Sequence, residues 1–263
     1  IGTEFQVNGY TTNNQDGAAV AALAGGGFVV AWRSENQDSS SGGIYAQVFG
    51  AAGERLGDAL QVNTVSTYDQ THAAVLGLAD GGFVVAFADQ VQDGSSYGSF
   101  AQRYDAGGNA LGGFFQLNTF TAYEQYLPAL AALRDDPATA GVSETGFVAV
   151  WRSQYQDGSG SGIFGQRFNT SGEKLGSEFQ INTNNVGNQY NPTVATLAGG
   201  EAYVGMERPR PPLVIRVAAQ HEEAVQAAAQ EEAPRILIYH THTYEAYEIT
   251  ETETYTPTEK WRT

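Results

Sequence analysis

The sequence predicts an all-β repeat region built like a β-propeller with four-stranded blades, followed by a short α/β fragment at the C-terminal end. Three observations lead to this fold class. A motif returns every 55 residues over most of the chain, several strand-length segments are apolar on both faces, and 32 glycines stand against only 8 prolines. Together these features are typical of short buried strands joined by tight turns.

The repeat is marked by a motif that ends in asparagine. "EFQVN" at 4–8 returns as "LQVN" at 60–63, "FQLN" at 115–118 and "FQIN" at 179–182. From Gln6 to Gln61 and from Gln61 to Gln116 the step is 55 residues, and from Gln116 to Gln180 it is 64. The nine extra residues belong to "RDDPATAGVSET" at 134–145, where we expect a hairpin turn that tolerates insertion.

Each unit is predicted to hold four strands. In the first unit they are "AVAAL" (19–23), "FVVAWRS" (28–34), "IYAQVF" (44–49) and "ALQVN" (59–63). The second strand carries apolar side chains on both faces, so it should be covered on both sides. Such strands suit a sandwich, a barrel or a propeller, and four strands in about fifty residues favour the propeller blade. Trp32, Phe87 and Trp151 occupy equivalent positions and are predicted to lie in the blade cores.

The pattern divides the chain into three parts. Residues 1–200 hold three and a half repeats, 201–233 a linker and a helix, and 234–263 the α/β fragment. The helix is expected in "VAAQHEEAVQAAAQEEA" (217–233), which is rich in alanine, glutamine and glutamate. Because three complete repeats and a broken fourth cannot close an ordinary ring, we expect a fragment of a longer protein, a junction of unrelated pieces, or self-association through incomplete blades.

The charge of the chain restricts its partners. The net charge is −16, from 13 Lys and Arg against 29 Asp and Glu. Such a field repels nucleic acid and anionic membrane surfaces and attracts cations. There is no cysteine, which excludes disulfides and cysteine-ligated zinc. No apolar run approaches the roughly 20 residues that span a bilayer, so no membrane span is predicted.

One acidic residue recurs in the loops between the second and third strands. Asp38, Asp93 and Asp157 lie in "QDSSSG", "QDGSSYG" and "QDGSGSG". Carboxylates in glycine and serine loops suit Ca²⁺, which takes six to eight oxygen ligands. The alternative is a turn in which the aspartate caps its own backbone. Since each loop offers one recurring carboxylate, the turn is favoured over calcium.

These copies resemble repeats of very large bacterial surface and secreted proteins, some of them calcium-binding and RTX-associated. The residues that match are the local variants of "FQVNT", "GGFVVAW", "QDGSG" and "GIYAQRF" over roughly 1–200. The resemblance implies a non-enzymatic extracellular or cell-surface module that binds or displays, with a surface glycan or protein as partner. The rival is a propeller glycosidase, which needs two carboxylates about 5–10 Å apart. The predicted first strands carry no repeated acid.

The stretch "ILIYHTHTYEAYE" (236–248) combines a short apolar strand with two histidines and two glutamates. On a strand, His240 and His242 project from the same face. Imidazoles are good zinc ligands, and Glu245 could act as a base beside a bound water. The alternative is a solvated strand edge in which the histidines have no chemical role.

The same region resembles the opening of the stage II sporulation protein P family. "PRILIYHTHTYEAY" and "YTPTEKWRT" match in order over 234–263. The resemblance implies a zinc-dependent N-acetylmuramoyl-L-alanine amidase that acts on peptidoglycan. It places the first zinc ligand at His242, with His240 and Glu245 as neighbours in the motif. Because the remaining ligands and a catalytic carboxylate would lie beyond Thr263, we expect an incomplete and inactive amidase start.

Overall fold

The computed structural model describes residues 3–133, 146–196, 202–207, 237–238 and 247–248. The chain divides into two compact units, Ile1–Val217 and Ala218–Thr263. In the second unit, two short strands pair antiparallel, Leu237 with Glu248 and Ile238 with Tyr247. The predicted helix at 217–233 and the rest of the α/β fragment lie outside the described residues.

The described part of the first unit is built of antiparallel strands. They are β1 (Gln15–Ala22), β2 (Phe28–Glu35), β3 (Gly42–Phe49), β4 (Arg55–Gln61), β5 (Gln70–Gly77), β6 (Phe83–Asp89), β7 (Gly98–Tyr104), β8 (Phe115–Gln116), β9 (Gln125–Leu133), β10 (Gly146–Gln154), β11 (Ser161–Asn169), β12 (Lys174–Gln180), β13 (Tyr190–Thr196) and β14 (Ala202–Glu207). The second unit adds β15 (Leu237–Ile238) and β16 (Tyr247–Glu248).

The strands of the first unit form sheets that stack as propeller blades. Three four-stranded sheets hold the strands in sequence order, β1 to β4, β5 to β8 and β9 to β12, and β13 pairs with β14 in a partial fourth. We call these sheets blades 1 to 4. The first strands of successive blades contact one another, β1 with β5, β5 with β9 and β9 with β13. They are therefore the inner strands, as the propeller predicted from the sequence requires.

The core lies between the blades. One cluster of buried side chains packs blade 1 on blade 2, a second packs blade 2 on blade 3, and a third packs blade 3 on blade 4. Trp32, Phe87 and Trp151 are all buried, as predicted. Burial of large apolar side chains on both faces of the second strands supplies the main stabilisation of such a stack.

A stacked aromatic pair closes one end of each complete blade. The two rings belong to directly paired residues of the second and third strands, at equivalent positions in the three complete blades. The pairs are Phe28 with Phe49, Phe83 with Tyr104 and Phe147 with Phe168, with ring centroids 4.8, 4.9 and 4.9 Å apart. Cross-strand aromatic pairs of this kind each add about 0.5–1.5 kcal/mol beyond their buried area.

The strand boundaries differ from the predicted ones at two places. The inner strand β1 begins at Gln15, four residues before the predicted Ala19, and a β-bulge separates Asp16 from Ala19. The last strand, β4, runs from Arg55 to Gln61, where 59–63 was predicted. It too contains an irregularity in its pairing with β3. A bulge interrupts the alternation of apolar and polar residues, so the pattern shows only the regular part of each strand.

Blade 4 extends past the predicted end of the repeat region. β14 begins at Ala202 and pairs with β13, with Val194 opposite Val204. The sequence predicted a break at Glu201, and the strand ends at Glu207, before the prolines. In blade 3, Leu133 pairs directly with Gly146, so the insertion at 134–145 joins two paired strands, as predicted for a hairpin turn. Those inserted residues lie outside the described part of the chain.

Candidate functional site

The recurring aspartates of the loops are engaged in hydrogen bonds within the fold. In blade 1, Asp38 accepts hydrogen bonds from the Ser40 backbone N–H at 3.1 Å and from Asn63 Nδ2 at 3.1 Å. Asp157 makes the equivalent bonds with Ser159 and Asn182, each 3.1 Å long. These contacts are those of the turn that the sequence offered as the alternative to calcium.

Asp93 follows the same pattern in blade 2, where it accepts a hydrogen bond from the Ser95 N–H at 3.1 Å. Burial raises the pKa of its carboxyl group, which disfavours the charged form that a cation would need. Among the residues that the structure describes, no group of three or more His, Asp or Glu side chains could hold a metal ion. Calcium binding by these loops stays a prediction.

The asparagine of the repeat motif connects successive blades. Asn63, Asn118 and Asn182 are buried. Each Oδ1 accepts a hydrogen bond from a backbone N–H of the third strand, and each Nδ2 donates to a glutamine at the start of the next inner strand. The Nδ2 to Oε1 distances are 3.1 Å for Asn63 to Gln70, 3.3 Å for Asn118 to Gln125 and 3.1 Å for Asn182 to Gln189. The motif is therefore structural.

All inner strands begin at the same end of the blades. Because β1 runs antiparallel to β2, Gln15 at the start of β1 lies opposite Ser34 near the end of β2. The turn that follows β2 is consequently beside the start of β1, and the same holds in the other complete blades. We call this the top end of the blades.

An ion pair links blades 1 and 2 at the top end. Arg33 donates to Asp69 Oδ1 from Nη2 at 2.8 Å and from Nε at 3.2 Å, and its Nη1 is 3.5 Å from Asp16 Oδ2. The Tyr97 hydroxyl donates to the other oxygen of Asp69 at 3.2 Å. Side chains of Arg33 and Asp69 are 18% and 22% exposed, so the pair is partly shielded but within reach of a ligand.

An arginine lies against two aromatic rings at the top end of blades 3 and 4. The Arg152 guanidinium carbon is 4.5 Å from the centroid of the Tyr126 ring and 4.8 Å from that of Tyr190. It also donates to the Tyr126 hydroxyl, and its Nε donates to Ser161 Oγ at 2.8 Å. Contacts of both kinds hold the guanidinium and the two rings in a fixed arrangement.

Aromatic contacts join the two groups into one continuous cluster. The Tyr97 and Tyr126 rings are 6.2 Å apart, and His72 packs against Tyr126 with centroids 5.6 Å apart. We call the whole set the top cluster. It consists of Asp16, Arg33, Asp69, His72, Tyr97, Tyr126, Arg152 and Tyr190, and it receives at least one residue from each blade.

Burial and neighbouring charges in the top cluster shift the pKa values of its arginine and tyrosine side chains. Partial burial acts against the charged form of Arg33, but the hydrogen bond and the charge of Asp69 outweigh it and raise the pKa of the guanidinium. Burial, aided by the charge of Asp69, raises the pKa of Tyr97 to about 12, and burial also raises the pKa of Tyr126. Both hydroxyls are therefore protonated donors at neutral pH.

His72 has the opposite shift. Although more than a third of the residue is exposed, desolvation by the surrounding inner strands lowers the pKa of its ring, so the imidazole is neutral at pH 7. Its backbone has a φ of 55° at the bulge of β5. The bulge turns the side chain away from the regular alternation of the strand, a common device next to functional sites.

The top cluster combines half-buried aromatic faces with hydrogen-bond donors and acceptors whose positions are set by other contacts. Such a surface suits a ligand that is apolar on one face and carries hydroxyl groups at its edge, as a sugar ring does. Both carboxylates of the cluster, Asp16 and Asp69, interact with the single guanidinium of Arg33.

The sequence did not predict the top cluster. Its residues are spread over four repeats, and at its positions the copies differ from one another. Arg33 and Arg152, for example, correspond to Ala88 in the second copy. A search for repeated residues is insensitive to such positions. The one available signal was the run of aromatic and charged residues just before the second and third predicted inner strands, "YDQTH" (68–72) and "YEQY" (123–126).

The predicted zinc residues His240, His242 and Glu245 lie outside the described residues, so zinc binding also stays a prediction. In the part of the chain that the structure describes, no helix is long and apolar enough to cross a membrane.

Comparison with known proteins gives similarity in backbone arrangement alone. No protein family and no curated protein sequence matches this chain, so neither resemblance drawn from the sequence gains support there. Among solved structures, an endo-arabinase from Bacteroides thetaiotaomicron is 14% identical, with a TM-score of 0.47 over 81% of this chain and 78% of that one. An α-L-arabinanase from Penicillium chrysogenum is 14% identical, with a TM-score of 0.47 over 72% and 57%.

An N-acetylgalactosamine deacetylase from F. plautii is 9% identical, with a TM-score of 0.47 over 78% of this chain and 69% of that one. Because the identities are this low and the TM-scores lie below 0.5, the function has to be inferred from the side chains of this chain itself.

Proposed function

We propose that the repeat region is a non-enzymatic carbohydrate-binding module and that the top cluster is its binding site. The observation that carries the proposal is the contact of Arg152 with Tyr126 and Tyr190 at the top end of the blades, where the inner strands begin. The guanidinium holds the rings in place, so they are ordered before a ligand arrives. Pre-organised aromatic groups lose little conformational entropy on binding.

The polar groups around the rings supply hydrogen bonds in both directions. Arg33 and Tyr97 donate, the carboxylate of Asp69 accepts, and neutral His72 has one donor and one acceptor nitrogen. A sugar presents vicinal hydroxyl groups that both donate and accept. The net charge of −16 favours a neutral sugar over an acidic polysaccharide. The module would act outside the cell or at the cell surface of a bacterium, with a surface glycan or peptidoglycan as partner.

The test is calorimetric titration of the chain with neutral oligosaccharides of glucose, xylose, arabinose and N-acetylglucosamine. We expect at least one series to bind without turnover. Tyr126→Ala should weaken that binding about tenfold or more, because truncating a central aromatic anchor costs on the order of 2 kcal/mol. Phe5→Ala is the matched control, since Phe5 is an exposed aromatic residue that packs on Phe49 at the opposite end of blade 1.

Three outcomes would contradict the proposal. The first is the absence of binding to every series, and the second is equal loss of binding in the two variants. The third is release of shorter sugars during incubation, which would identify a glycosidase. Stoichiometric zinc with stem-peptide release from peptidoglycan, both lost in His242→Ala, would favour the alternative function, a zinc-dependent N-acetylmuramoyl-L-alanine amidase of the sporulation type.

A further inference from the structure

Two exposed tyrosines form a pair at the top end of blade 3. Tyr123 lies in the segment before β9 and is 53% exposed, and Tyr155 follows β10 and is 50% exposed. Their ring centroids are 5.1 Å apart with an interplanar angle of 67°, an edge-to-face contact. Tyr68, the equivalent of Tyr123 in the second copy, is also exposed, at 60%. Because Tyr123 and Tyr155 are in contact, they form one exposed aromatic patch, and such patches are common at ligand-binding sites.

The backbone at both tyrosines is in the left-handed region, where bulky residues are disfavoured. The φ angles are 63° for Tyr123 and 59° for Tyr155. At the position of Tyr123 the first and fourth copies have Asn13 and Gly187, which tolerate this conformation, and the second copy has Tyr68 with a φ of 65°. At the position of Tyr155 the first copy has Asn36. A large side chain at such a position strains the backbone. Blade 3 therefore carries two tyrosines where the backbone favours asparagine or glycine.

The tyrosine pair is continuous with the top cluster. Tyr126 and Arg152 are direct partners in the pairing of β9 with β10, and Tyr123 and Tyr155 each lie three residues further along the same two segments. The segments stay side by side in between, because the Gln154 N–H donates to the carbonyl of Glu124 at 2.8 Å. Three residues of extended chain span about 10 Å, which leaves room for a second sugar ring beside the first.

We infer that Tyr123 and Tyr155 form a second sugar-binding subsite, which makes the module a reader of oligosaccharide chains and not of single sugars. The inference rests on the proposed function of the top cluster. The occupant is an inner sugar unit of the same neutral glycan chain, lying on the exposed tyrosine faces while the preceding unit occupies the top cluster. Ring stacking at the subsite would supply affinity, and the hydroxyl groups of the tyrosines would contact the sugar edge.

The test is calorimetric titration of the full chain with the disaccharide and the hexasaccharide of N-acetylglucosamine, of xylose, of arabinose and of glucose. We expect the hexasaccharide of the series that binds to be held about tenfold tighter than the disaccharide. Tyr155→Ala should remove most of this advantage and leave disaccharide affinity unchanged. Tyr155→Phe is the matched control, because it keeps the ring and should keep most of the advantage. Tyr126→Ala should weaken both ligands together.

The outcomes separate the two proposals. Binding of both lengths with equal affinity, or an unchanged advantage in Tyr155→Ala, would overturn the subsite and leave the top cluster as the binding site. Absence of binding to every sugar would overturn both. Sedimentation of the wild type and of Tyr155→Ala tests whether another copy of this chain, instead of a sugar, covers the two tyrosines. A dimer dispersed by Tyr155→Ala without any change in sugar affinity would also overturn the subsite.

Discussion

At the scale of single residues, the repeat motif is explained by one side chain. Asn63 receives the Ile44 N–H at 2.8 Å and donates to Asp38, to the Val65 carbonyl and to Gln70. It thereby joins the third strand of blade 1, the loop before that strand and the first strand of blade 2. The sequence showed that the asparagine recurs, but not why, because Ile44 and Asp38 lie 19 and 25 residues away along the chain.

This network leads to a prediction about stability. Asn63→Ala leaves the buried N–H of Ile44 and the side-chain Oε1 of Gln70 without the partner that Asn63 supplies, and each orphaned buried group costs about 1–3 kcal/mol. The free energy of unfolding in urea should therefore fall by about 2–6 kcal/mol in total.

The control for this prediction lies in the same motif. Gln61 precedes Asn63 by two residues but is exposed, so Gln61→Ala should change the free energy of unfolding by less than about 0.5 kcal/mol. Equal effects of the two substitutions would show that Asn63 is no more than a surface residue of the motif.

At the scale of the strand, each of the three complete blades requires a glycine at or directly before the start of its second strand. A Cβ on Gly27 would lie 2.2 Å from the Phe49 carbonyl oxygen, and on Gly82 or Gly146 the equivalent distances are 2.4 and 2.0 Å. The obstructing atom belongs to the backbone of the third strand in every case, so it cannot move aside without breaking the sheet.

Gly27→Ala should therefore lower the melting temperature, because the clash costs about 1–3 kcal/mol or more. The same turn contains the control. A Cβ on Gly25 meets no atom within 4 Å, so Gly25→Ala should leave the melting temperature within a degree or two of the wild type. Thermal unfolding followed by circular dichroism measures both. A harmless Gly27→Ala would mean that the second and third strands are further apart than the structure places them.

The regular part of each strand could be predicted from the sequence, and the bulges could not. The apolar residues of β2 form an uninterrupted run, so its predicted bounds, 28–34, are within one residue of the observed Phe28–Glu35. In the inner strands β5 and β9, by contrast, the third residue has a positive φ. These residues are His72 and Leu127. Neither residue type signals that conformation. The top cluster depends on these bulges, so its geometry was hidden with them.

At the scale of the whole molecule, the copies agree where they build the blade and differ at the top cluster. The stacked pairs and the asparagine network recur with nearly the same distances in all complete blades. Position 16 of the first copy, in contrast, holds Asp16, and its equivalents are Thr71, Tyr126 and Tyr190. Repetition in the sequence therefore revealed the scaffold, and departure from repetition marks the candidate site.

The scaffold also buries tyrosines in a way that limits stability at high pH. Burial, with smaller contributions from the charges of Asp38 and Tyr10, raises the pKa of Tyr45 to about 12. Burial raises that of Tyr97 to about 12 and also raises that of Tyr104. An unfolded tyrosine ionises near pH 10. Between about pH 10 and 12 the unfolded chain therefore releases protons that the folded chain retains.

The sign of the effect follows from this difference in bound protons. Where the unfolded state binds fewer protons than the folded state, the free energy of unfolding falls as pH rises. We expect stability to be retained below about pH 10 and to decline up to about pH 12, measured by urea unfolding at fixed ionic strength. Tyr45→Phe keeps the ring that stacks on Trp32 and removes one of the responsible hydroxyls, so the free energy of unfolding of this variant should decline less steeply with pH.

The control is the same comparison at lower pH. The difference in the free energy of unfolding between variant and wild type at pH 8 gives the cost of the substitution itself, and only the difference in slope above pH 10 is due to ionisation. Parallel curves over the whole range would show that Tyr45 reaches water as readily in the folded protein as in the unfolded chain, and that blade 1 is open where the structure has it closed.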